Sequence, residues 1–474
     1  MELEKLSGLK LGKLVNSGEL SPCEVIEYFA DLIDSKNATL NAFTYTKFEE
    51  ALQVAHKLEK KLNSGEYCGP FAGVPVALKD FLDTKAGWVN SHGGVPSLIR
   101  EDKFDSEFTR ASESLGAIPI GKTNAPSFGF RGTTDNKLFG PTKNPFNLNY
   151  NSGGSSGGSC AAVGGGLVPL AECGDAGGSG RIPASWCNCF GFKPSAGLIP
   201  SICRPDAWAA THPYCSGGPA ARYVKDAAVL VDSMQRFSLQ DPLSVPLPAK
   251  NLATRRDLKG LKIGYTFNFD IFPDCDSQIK DKMINAFKIL LDCGAECVEE
   301  AHFSFKRTLR EFEYAWLLGI NIDDSQSLEM TQFIQTHSDE LPSELIFWNR
   351  QAAKATMYDY KMFHRIRTDI LDSHIEPFEK YDVILAPVTG CMPVKNENNK
   401  DTKGPEEING VKVDPLIGFS YTYLENMTGF PSASIPIGFG KDNLPIGLQV
   451  IAKRYFDEDI FTVAYALEEA NPWI

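Results

Sequence analysis

The sequence has no uninterrupted apolar stretch long enough to cross a membrane. Its longest charge-free window, residues 144–171, is rich in glycine, serine and asparagine and contains two prolines, which is not the composition of a transmembrane helix. Residues 1–14 carry five charges and lack the apolar core of a secretory signal. We therefore expect no membrane association and a cytoplasmic location.

Clustered metal ligands are also missing from the sequence. It contains no CxxC or HExxH spacing, and its seven histidines lie far apart. Protein zinc sites usually take paired ligands from short spacings, so we expect no metal and no other cofactor. Twelve cysteines in a chain of 474 residues without a signal indicate reduced thiols, which agrees with the cytoplasm.

Basic side chains are outnumbered, with 47 Lys and Arg against 60 Asp and Glu and a net charge of −13. No basic run departs from this balance, and phosphate backbones attract positive surfaces, so we expect no direct nucleic-acid binding. Hydrophobic residues make up 43% and charged residues 23%. These are values of an ordinary globular protein, which excludes disordered and fibrous classes.

Helical and extended patterns alternate along the chain. Residues 21–24 (SPCE) form a capping box with proline at the first helical position, so a helix is predicted over 22–35. Periodicity predicts further helices near 48–62, 105–115, 277–291 and 457–469, with strands over 73–79, 117–120, 261–265, 383–387, 432–436 and 447–452. Residues of about 305–375 are predicted to be mostly helical. The alternation predicts an α/β protein, with residues 1–474 as one large domain.

Two short motifs match patterns of other enzyme classes. Residues 116–123 (GAIPIGKT) fit the P-loop, but a phosphate loop follows its strand, whereas residues 117–120 are themselves apolar and extended, and Pro119 lacks an amide proton. We interpret this match as a coincidence. Residues 153–157 (GGSSG) fit the nucleophile elbow of α/β-hydrolases, although the polar residues 147–151 do not make the buried strand that an elbow requires. An esterase with Ser155 as nucleophile stays an alternative.

A glycine-rich centre is the most specific feature. Between Gly153 and Gly180 there are 11 glycines in 28 residues, interleaved with serines, and such a backbone can turn several N–H groups toward one ligand. Residues 153–159 (GGSSGGS) and 174–184 (GDAGGSGRIPA), with Lys79 upstream, resemble the amidase signature family. Further similar segments extend the resemblance over nearly the whole chain: 116–124, 190–194, 381–387, 428–432 and 445–450.

The resemblance implies the amidase signature fold, a central mixed β-sheet flanked by helices, and a Ser–Ser–Lys triad. The family's residues fall on Lys79 as base, Ser155 as proton relay after a cis peptide bond, and Ser179 as nucleophile, with the family's 24-residue spacing between the serines. A serine hydroxyl is a weak nucleophile, and a lysine accepts its proton only when burial or neighbours keep the lysine neutral. We expect Lys79, at the end of an apolar strand, to be desolvated in this way.

Supporting residues are implied in the same way. The oxyanion hole falls on the amides of Ala176, Gly177, Gly178 and Ser179, and Asp175 and Arg181 match positions that brace this loop. The chain departs from the family at two places. Gly174 stands where many members have threonine, and Gly180 where isoleucine or valine is usual, which puts the support of the triad in question.

The implied activity is hydrolysis of a linear or cyclic carboxamide of small size through an acyl-Ser179 intermediate. Residues 181–185 and 468–473 look most like the 6-aminohexanoate cyclic-dimer hydrolase branch. A glutaminase-type subunit of a tRNA-dependent amidotransferase is the main alternative, a non-catalytic amide-binding protein is a third, and a homodimer is one possible assembly. We expect substrate-side residues after Lys79 and in three segments: 125–131, 314–321 and 417–426.

Overall fold

The computed structural model describes residues 1–204, 207–208, 215–254, 256–326 and 328–473. Its helices are α1 Gly8–Asn16, α2 Pro22–Leu40, α3 Phe48–Asn63, α4 Glu107–Ser114, α5 Gly157–Gly164, α6 Arg181–Trp186, α7 Val224–Met234, α8 Ser277–Asp292, α9 Leu309–Gln326, α10 Leu328–Thr336, α11 Ser343–Ala352, α12 Met357–Lys380, α13 Tyr423–Thr428 and α14 Asp457–Ala470. Short 3₁₀ turns lie at Leu3–Lys5, Pro96–Leu98, Ser127–Gly129, Ser338–Glu340 and Lys441–Asn443.

The strands are mostly short and lie between these helices. They are β1 Phe43–Thr46, β2 Pro75–Lys79, β3 Val89–Asn90, β4 Arg100–Glu101, β5 Ile118–Thr123, β6 Lys143–Asn144, β7 Asn147–Asn151, β8 Leu170–Asp175, β9 Phe190–Lys193, β10 Ser216–Ala221, β11 Lys262–Tyr265, β12 Cys297–Glu300, β13 Val383–Pro387, β14 Glu407–Ile408, β15 Val411–Lys412, β16 Ser432–Phe439 and β17 Pro445–Ala452.

One 11-stranded mixed sheet forms the centre, in the order β1-β5-β2-β8-β10-β9-β16-β17-β13-β11-β12. Strand β2 is parallel to both β5 and β8, and β13 is parallel to β11, whereas the strands between these two groups pair antiparallel. Helices pack against both groups of parallel strands, and the buried apolar residues form one dominant core cluster. The predicted α/β fold with a central mixed sheet in a single domain is confirmed.

The predicted helix at 22–35 is correct at its start and too short at its end. Ser21 and Glu24 make both hydrogen bonds of the capping box, as the motif predicts. The helix continues to Leu40 because no glycine or proline interrupts residues 36–40, and it ends where Asn41 adopts a left-handed conformation with φ 54°. The remaining predicted helices and strands match observed elements to within a few residues.

The segment 305–375 is mostly helical, as predicted, and contains α9 to α11 and most of α12. Residue 327 of this segment lies outside the described residues. Helix α9 packs against α11 and α12, and α12 packs against α13 near the glycine-rich centre. No helix in the described part of the chain combines the length and the apolar character needed to span a bilayer.

Helix α5 is held against the next helix by a contact that excludes any side chain. A Cβ atom at Gly164 would lie 1.9 Å from the carbonyl oxygen of Cys187. We expect Gly164→Ala to lower the free energy of unfolding by about 1–3 kcal/mol, because overpacking must displace backbone. Gly217→Ala, in β10 with no atom within 4 Å of the added Cβ, is the matched control and should change it by less than about 0.5 kcal/mol. Urea denaturation of both variants measures the difference, and equal effects would contradict the packing argument.

Candidate active site

Strand β2 and the loop before α5 bring a lysine and a serine into contact. Lys79, the last residue of β2, and Ser155, which precedes α5, are each only 2% exposed. The Lys79 Nζ donates to Ser155 Oγ at 2.8 Å and to the carbonyl oxygen of Gly174 at 3.5 Å. The Gly154–Ser155 peptide bond is cis. A buried lysine is thus directed at one serine hydroxyl.

Ser179 lies in the loop between β8 and α6, next to this pair. The amide of Ser156 donates to the carbonyl oxygen of Ser179 at 3.0 Å, which ties the loop to the residue after Ser155. The side chain of Ser179 is half-buried, and its hydroxyl has no hydrogen-bond partner among the described residues. The structure therefore brings Lys79, Ser155 and Ser179 into one region, with the Ser179 hydroxyl the one that solvent reaches.

The loop between β8 and α6 presents unpaired amides. Those of Ala176, Gly177 and Ser179 have no acceptor within the described residues, whereas the amide of Gly178 donates to Asp175 Oδ1 at 2.8 Å. Of the four amides predicted to form an oxyanion hole, the structure leaves three available and uses that of Gly178 to hold the loop.

Hydrogen bonds to the loop carbonyls orient these amides. Trp316 Nε1 donates to the carbonyl oxygen of Ala176 at 3.1 Å, and the amide of Ile182 donates to that of Gly178 at 2.7 Å. In a trans peptide the N–H points opposite to the C=O, so these two contacts also set the directions of the Gly177 and Ser179 amides. Glycine is required here, because a Cβ at Gly177 would lie 2.5 Å from the Trp316 ring.

Arg181 and Asp175 form a buried ion pair under the loop. Arg181 Nε and Nη2 each donate to an Asp175 carboxylate oxygen at 2.9 Å, and both side chains are at most 1% exposed. The guanidinium also contacts the side chains of Gln449, Asn426 and Glu425, at 2.7, 2.6 and 3.4 Å. Burial by itself would raise the pKa of Asp175, but Arg181 and Asn426 outweigh it and hold that pKa well below its usual range.

Two buried carboxyl groups near Lys79 were not singled out from the sequence. Glu172 in β8 accepts the backbone N–H of Lys79 at 3.3 Å, and Asp83 lies in the loop that follows Lys79 at the end of β2. Burial and the neighbouring Asp83 raise the pKa of Glu172 well above its ordinary value, and burial raises that of Asp83. The available signal was an acidic residue inside an otherwise apolar strand, at Leu170-Ala-Glu172-Cys.

The segments that match the P-loop and the nucleophile elbow do not have the structure that those motifs require. Residues 118–123 of the P-loop match are strand β5, entirely buried, and the Lys122 ammonium bonds to Asp102 Oδ2 at 3.0 Å and to the carbonyl oxygen of Asp83. No phosphate-binding loop exists there. The residues before the elbow match form β7, which pairs with β6 in a partly exposed two-stranded sheet, so the buried strand of a nucleophile elbow is absent at this place.

Outside the region around Lys79, Ser155 and Ser179, one cluster of side chains in the described part of the chain is of the types that bind metal ions. Cys23 Sγ, His56 Nδ1 and a Glu59 carboxylate oxygen lie within 4.8 Å of one another. Burial and the Glu59 carboxylate raise the pKa of the Cys23 thiol, and the thiol lies 3.1 Å from His56 Nδ1 at hydrogen-bond distance. The thiolate, not the thiol, is the metal ligand, so we assign no metal site to this group.

A buried lysine bonded to a serine, beside a loop of oriented amides, is the arrangement of an acyl-transfer hydrolase. The chain belongs to the Amidase family, whose model matches residues 24–461. It is therefore an enzyme that hydrolyses amides. Its structure is similar to that of a bacterial aryl acylamidase of the amidase signature family, with 37% identity, 99% of this chain and 96% of that chain covered, and a TM-score of 0.94.

Other relatives extend the comparison. The structure of 6-aminohexanoate cyclic dimer hydrolase in complex with substrate is 26% identical, with 99% of this chain and 97% of that chain covered and a TM-score of 0.85. The acylamidase of Rhodococcus erythropolis is 29% identical over 99% of this chain and 96% of its own length. A glutamyl-tRNA(Gln) amidotransferase subunit from Sulfurihydrogenibium sp. is 30% identical over 100% of this chain and 99% of its own length.

The buried ion pair yields a stability prediction. Asp175→Asn should lower the free energy of unfolding by about 3–5 kcal/mol, because it leaves the buried Arg181 without its bidentate partner. Chemical denaturation at pH 7 measures the loss. Glu2→Gln, which removes the exposed ion pair between Glu2 and Lys5, is the control, with an expected change below about 0.5 kcal/mol. A loss for Asp175→Asn as small as that of the control would contradict the role of the pair.

Proposed function

We propose that this amidase hydrolyses acylamides that carry an aryl group, through an acyl-Ser179 intermediate. The observation that carries the proposal is the 2.8 Å hydrogen bond from Lys79 Nζ to Ser155 Oγ, next to the loop that bears the Ser179 hydroxyl and the unpaired amides. No cofactor takes part.

In the proposed mechanism Lys79, in its neutral form, accepts the proton of Ser155, and Ser155 takes the proton of Ser179. The Ser179 oxygen attacks the amide carbon, and the negative charge that develops on the carbonyl oxygen is bound by the amides of Ala176, Gly177 and Ser179. One such donor contributes roughly 3–4 kcal/mol to the transition state. The proton returns through Ser155 to the leaving amine as the C–N bond breaks, and water then hydrolyses the ester to release the acid.

The difference in exposure between the two serines supports Ser179 as the nucleophile. The hydroxyl of Ser155 is buried and occupied by Lys79, whereas the half-buried Ser179 hydroxyl is free of partners among the described residues. A substrate carbonyl reaches the second more readily. This assignment argues against the esterase alternative, in which Ser155 attacks.

An aromatic cluster next to Ser155 supports a substrate that carries an aryl group. Phe81, His92 and Phe128 contact one another with ring centroids 6.2–6.5 Å apart. A Cβ built on Gly129 would lie 3.1 Å from Ser155 Oγ and 3.2 Å from the Phe81 ring, so a glycine separates the hydroxyl from the cluster. Burial lowers the pKa of His92, which keeps its ring neutral and suited to an apolar aromatic partner. These residues lie in and near the predicted substrate-side segments.

A glutaminase-type subunit is the second candidate, because a glutamyl-tRNA(Gln) amidotransferase subunit is among the relatives. It requires a partner that carries the tRNA, since this chain has a net charge of −13 and no basic run. We also propose a cytoplasmic enzyme, which the twelve free thiols support, acting on a small molecule without a nucleic-acid partner. A homodimer is the assembly to test by light scattering.

The nucleophile assignment is tested by covalent labelling. A fluorophosphonate should modify Ser179, and Ser179→Ala should lose the label and lower kcat/KM by at least about 10⁴-fold. Ser152→Ala, immediately before the glycine-rich segment and outside the proposed machinery, serves as control. Its hydroxyl donates to the carbonyl oxygen of Gly153, so labelling and kcat/KM should both stay within about threefold of the wild type. Peptide mass spectrometry locates the label. Label on Ser155 would establish the alternative mechanism, and active but unlabelled protein would remove serine catalysis.

The substrate class is tested with a panel of amides. We expect 4-nitroacetanilide to be cleaved with a kcat/KM at least about tenfold above those of a short aliphatic amide, the cyclic 6-aminohexanoate dimer and glutamine, because an aryl ring buries apolar area against Phe81 and Phe128. Phe128→Ala should reduce this preference mainly through KM. Preferred cleavage of glutamine, with a protein that copurifies, would instead support the amidotransferase candidate.

A further inference from the structure

Two of the three rings in the aromatic cluster next to Ser155 lie on an unusual backbone. His92 has a φ of 53° and Phe128 a φ of 54°, in the left-handed region that residues with bulky side chains seldom adopt. Such a conformation persists only where surrounding contacts impose it, and it is typical of ligand-binding sites. The contacts that hold the backbone of these residues therefore determine where the cluster presents its rings.

The side chain of Asn90 joins the backbone of Phe81 to that of His92. Asn90 lies at the end of β3 and is 1% exposed. Its Nδ2 donates to the carbonyl oxygen of Phe81 at 2.7 Å and to Asp102 Oδ1 at 3.1 Å, and its Oδ1 accepts the N–H of His92 at 2.9 Å. Because a backbone carbonyl only accepts and a backbone N–H only donates, these partners fix the orientation of the carboxamide.

Backbone contacts extend this connection to Phe128. The amide of Phe128 donates to the carbonyl oxygen of His92 at 3.0 Å, and Ser127 Oγ donates to that of Gly93 at 3.2 Å. A Cβ built on Gly93 would lie 2.1 Å from the carbonyl oxygen of Pro126, so the two loops are in direct backbone contact. The Phe128 ring therefore follows any displacement of His92.

Asp80 holds the same loop at other residues. Its carboxylate accepts the N–H of Ser91 at 2.8 Å and the Ser91 hydroxyl, and its carbonyl oxygen accepts the N–H of Gly93 at 2.9 Å. None of these bonds reaches the carbonyl oxygen of Phe81 or the N–H of His92. Among the described residues, the hydrogen-bonded link between the two ring-bearing residues is therefore the carboxamide of Asn90.

We propose that Asn90 is a positioning residue that sets the preference of this amidase for aryl substrates. The proposal rests on the proposed function, in which the aryl group of the substrate packs against the cluster. Asn90 does not touch the substrate, because it is buried and its Oδ1 and both N–H groups of Nδ2 are engaged. It acts through the separation of Phe81 and His92, whose side chains are only partly buried, and none of its hydrogen bonds involves Lys79 or Ser155.

Asn90→Ser separates this role from that of holding the local turn. A serine hydroxyl can accept the N–H of His92 two residues on but is too short to reach the Phe81 carbonyl. We expect kcat/KM for 4-nitroacetanilide to fall at least about fivefold, mainly through a higher KM, because the aryl ring loses apolar contact. For N-butylacetamide, which has the same acyl group and no ring, kcat/KM should stay within about twofold of the wild type.

Asn16→Ser is the matched control. The Asn16 carboxamide, on helix α1, also joins a backbone carbonyl to a backbone amide, those of Gly69 at 2.8 Å and Cys68 at 3.1 Å, and its loss should leave the ratio of the two kcat/KM values unchanged. An equal loss on both substrates in Asn90→Ser would show that Asn90 is merely structural, and no loss on either would show that the link is not needed. Each of these results would overturn the proposal.

Fluorine NMR tests the ring positions without relying on catalysis. With 4-fluorophenylalanine in place of Phe128, the fluorine resonance should shift in Asn90→Ser and stay in place in Asn16→Ser. An unchanged resonance in Asn90→Ser would overturn the proposal even if the aryl preference fell. If Asn90→Ser did not fold, Asn90→Asp takes its place with the same expectation, because a carboxylate keeps the acceptor for His92 but cannot donate to Phe81.

The wild-type protein tests the proposed function separately. Fluorophosphonate labelling of Ser179 and the wild-type ratio of the two kcat/KM values do not depend on any change at Asn90. A wild type without an aryl preference would refute the proposed substrate class. In that case a shifted fluorine resonance in Asn90→Ser would retain the positioning role of Asn90, and an unchanged one would refute that role as well.

Discussion

The buried contact between Arg181 and Asp175 organises the centre of this protein. The Asp175 carboxylate ends strand β8 and accepts the amides of Gly178 and Gly180 as well as the guanidinium. The same guanidinium reaches Gln449 in β17, which lies four strands away from β8 in the sheet. A charge pair that is fully removed from water is stable only when nearly all its hydrogen bonds are made, so its geometry determines where the glycine-rich loop can lie.

The loop between β8 and α6 uses one of its amides to hold its own conformation and leaves others available to a ligand. Gly178 gives its amide to Asp175, while those of Ala176, Gly177 and Ser179 remain unpaired within the described residues. Trp316, on a helix more than a hundred residues later, determines the direction of one of these amides through the Ala176 carbonyl. The helical segment therefore helps to orient the loop that we propose as catalytic, in addition to the substrate-side role that we predict for it. Preorganised dipoles of this kind need no rearrangement when charge develops on a substrate.

Much of the architecture was accessible from local pattern. The capping box at Ser21 and Glu24, the apolar strand that ends at Lys79, and the glycines around Ser155 and Ser179 each express a local rule of backbone conformation. The exceptions have physical causes. Helix α2 runs on to Leu40 because nothing in residues 36–40 opposes it. The amide of Gly178 donates to Asp175, whose carboxylate is held by the distant Asn426 as well as by Arg181, and the contact with Asn426 is not a local pattern.

The sequence by itself determined the order of helices and strands, the family resemblance and the identity of Lys79, Ser155 and Ser179 as candidates, because motif and periodicity are properties of neighbouring residues. Only the tertiary structure decided that the buried Glu172 carboxyl accepts the backbone N–H of Lys79. The reason is that β2 and β8 lie side by side in the sheet but are far apart in the chain. Burial and charge in an active site depend on such long-range contacts, which no local pattern encodes.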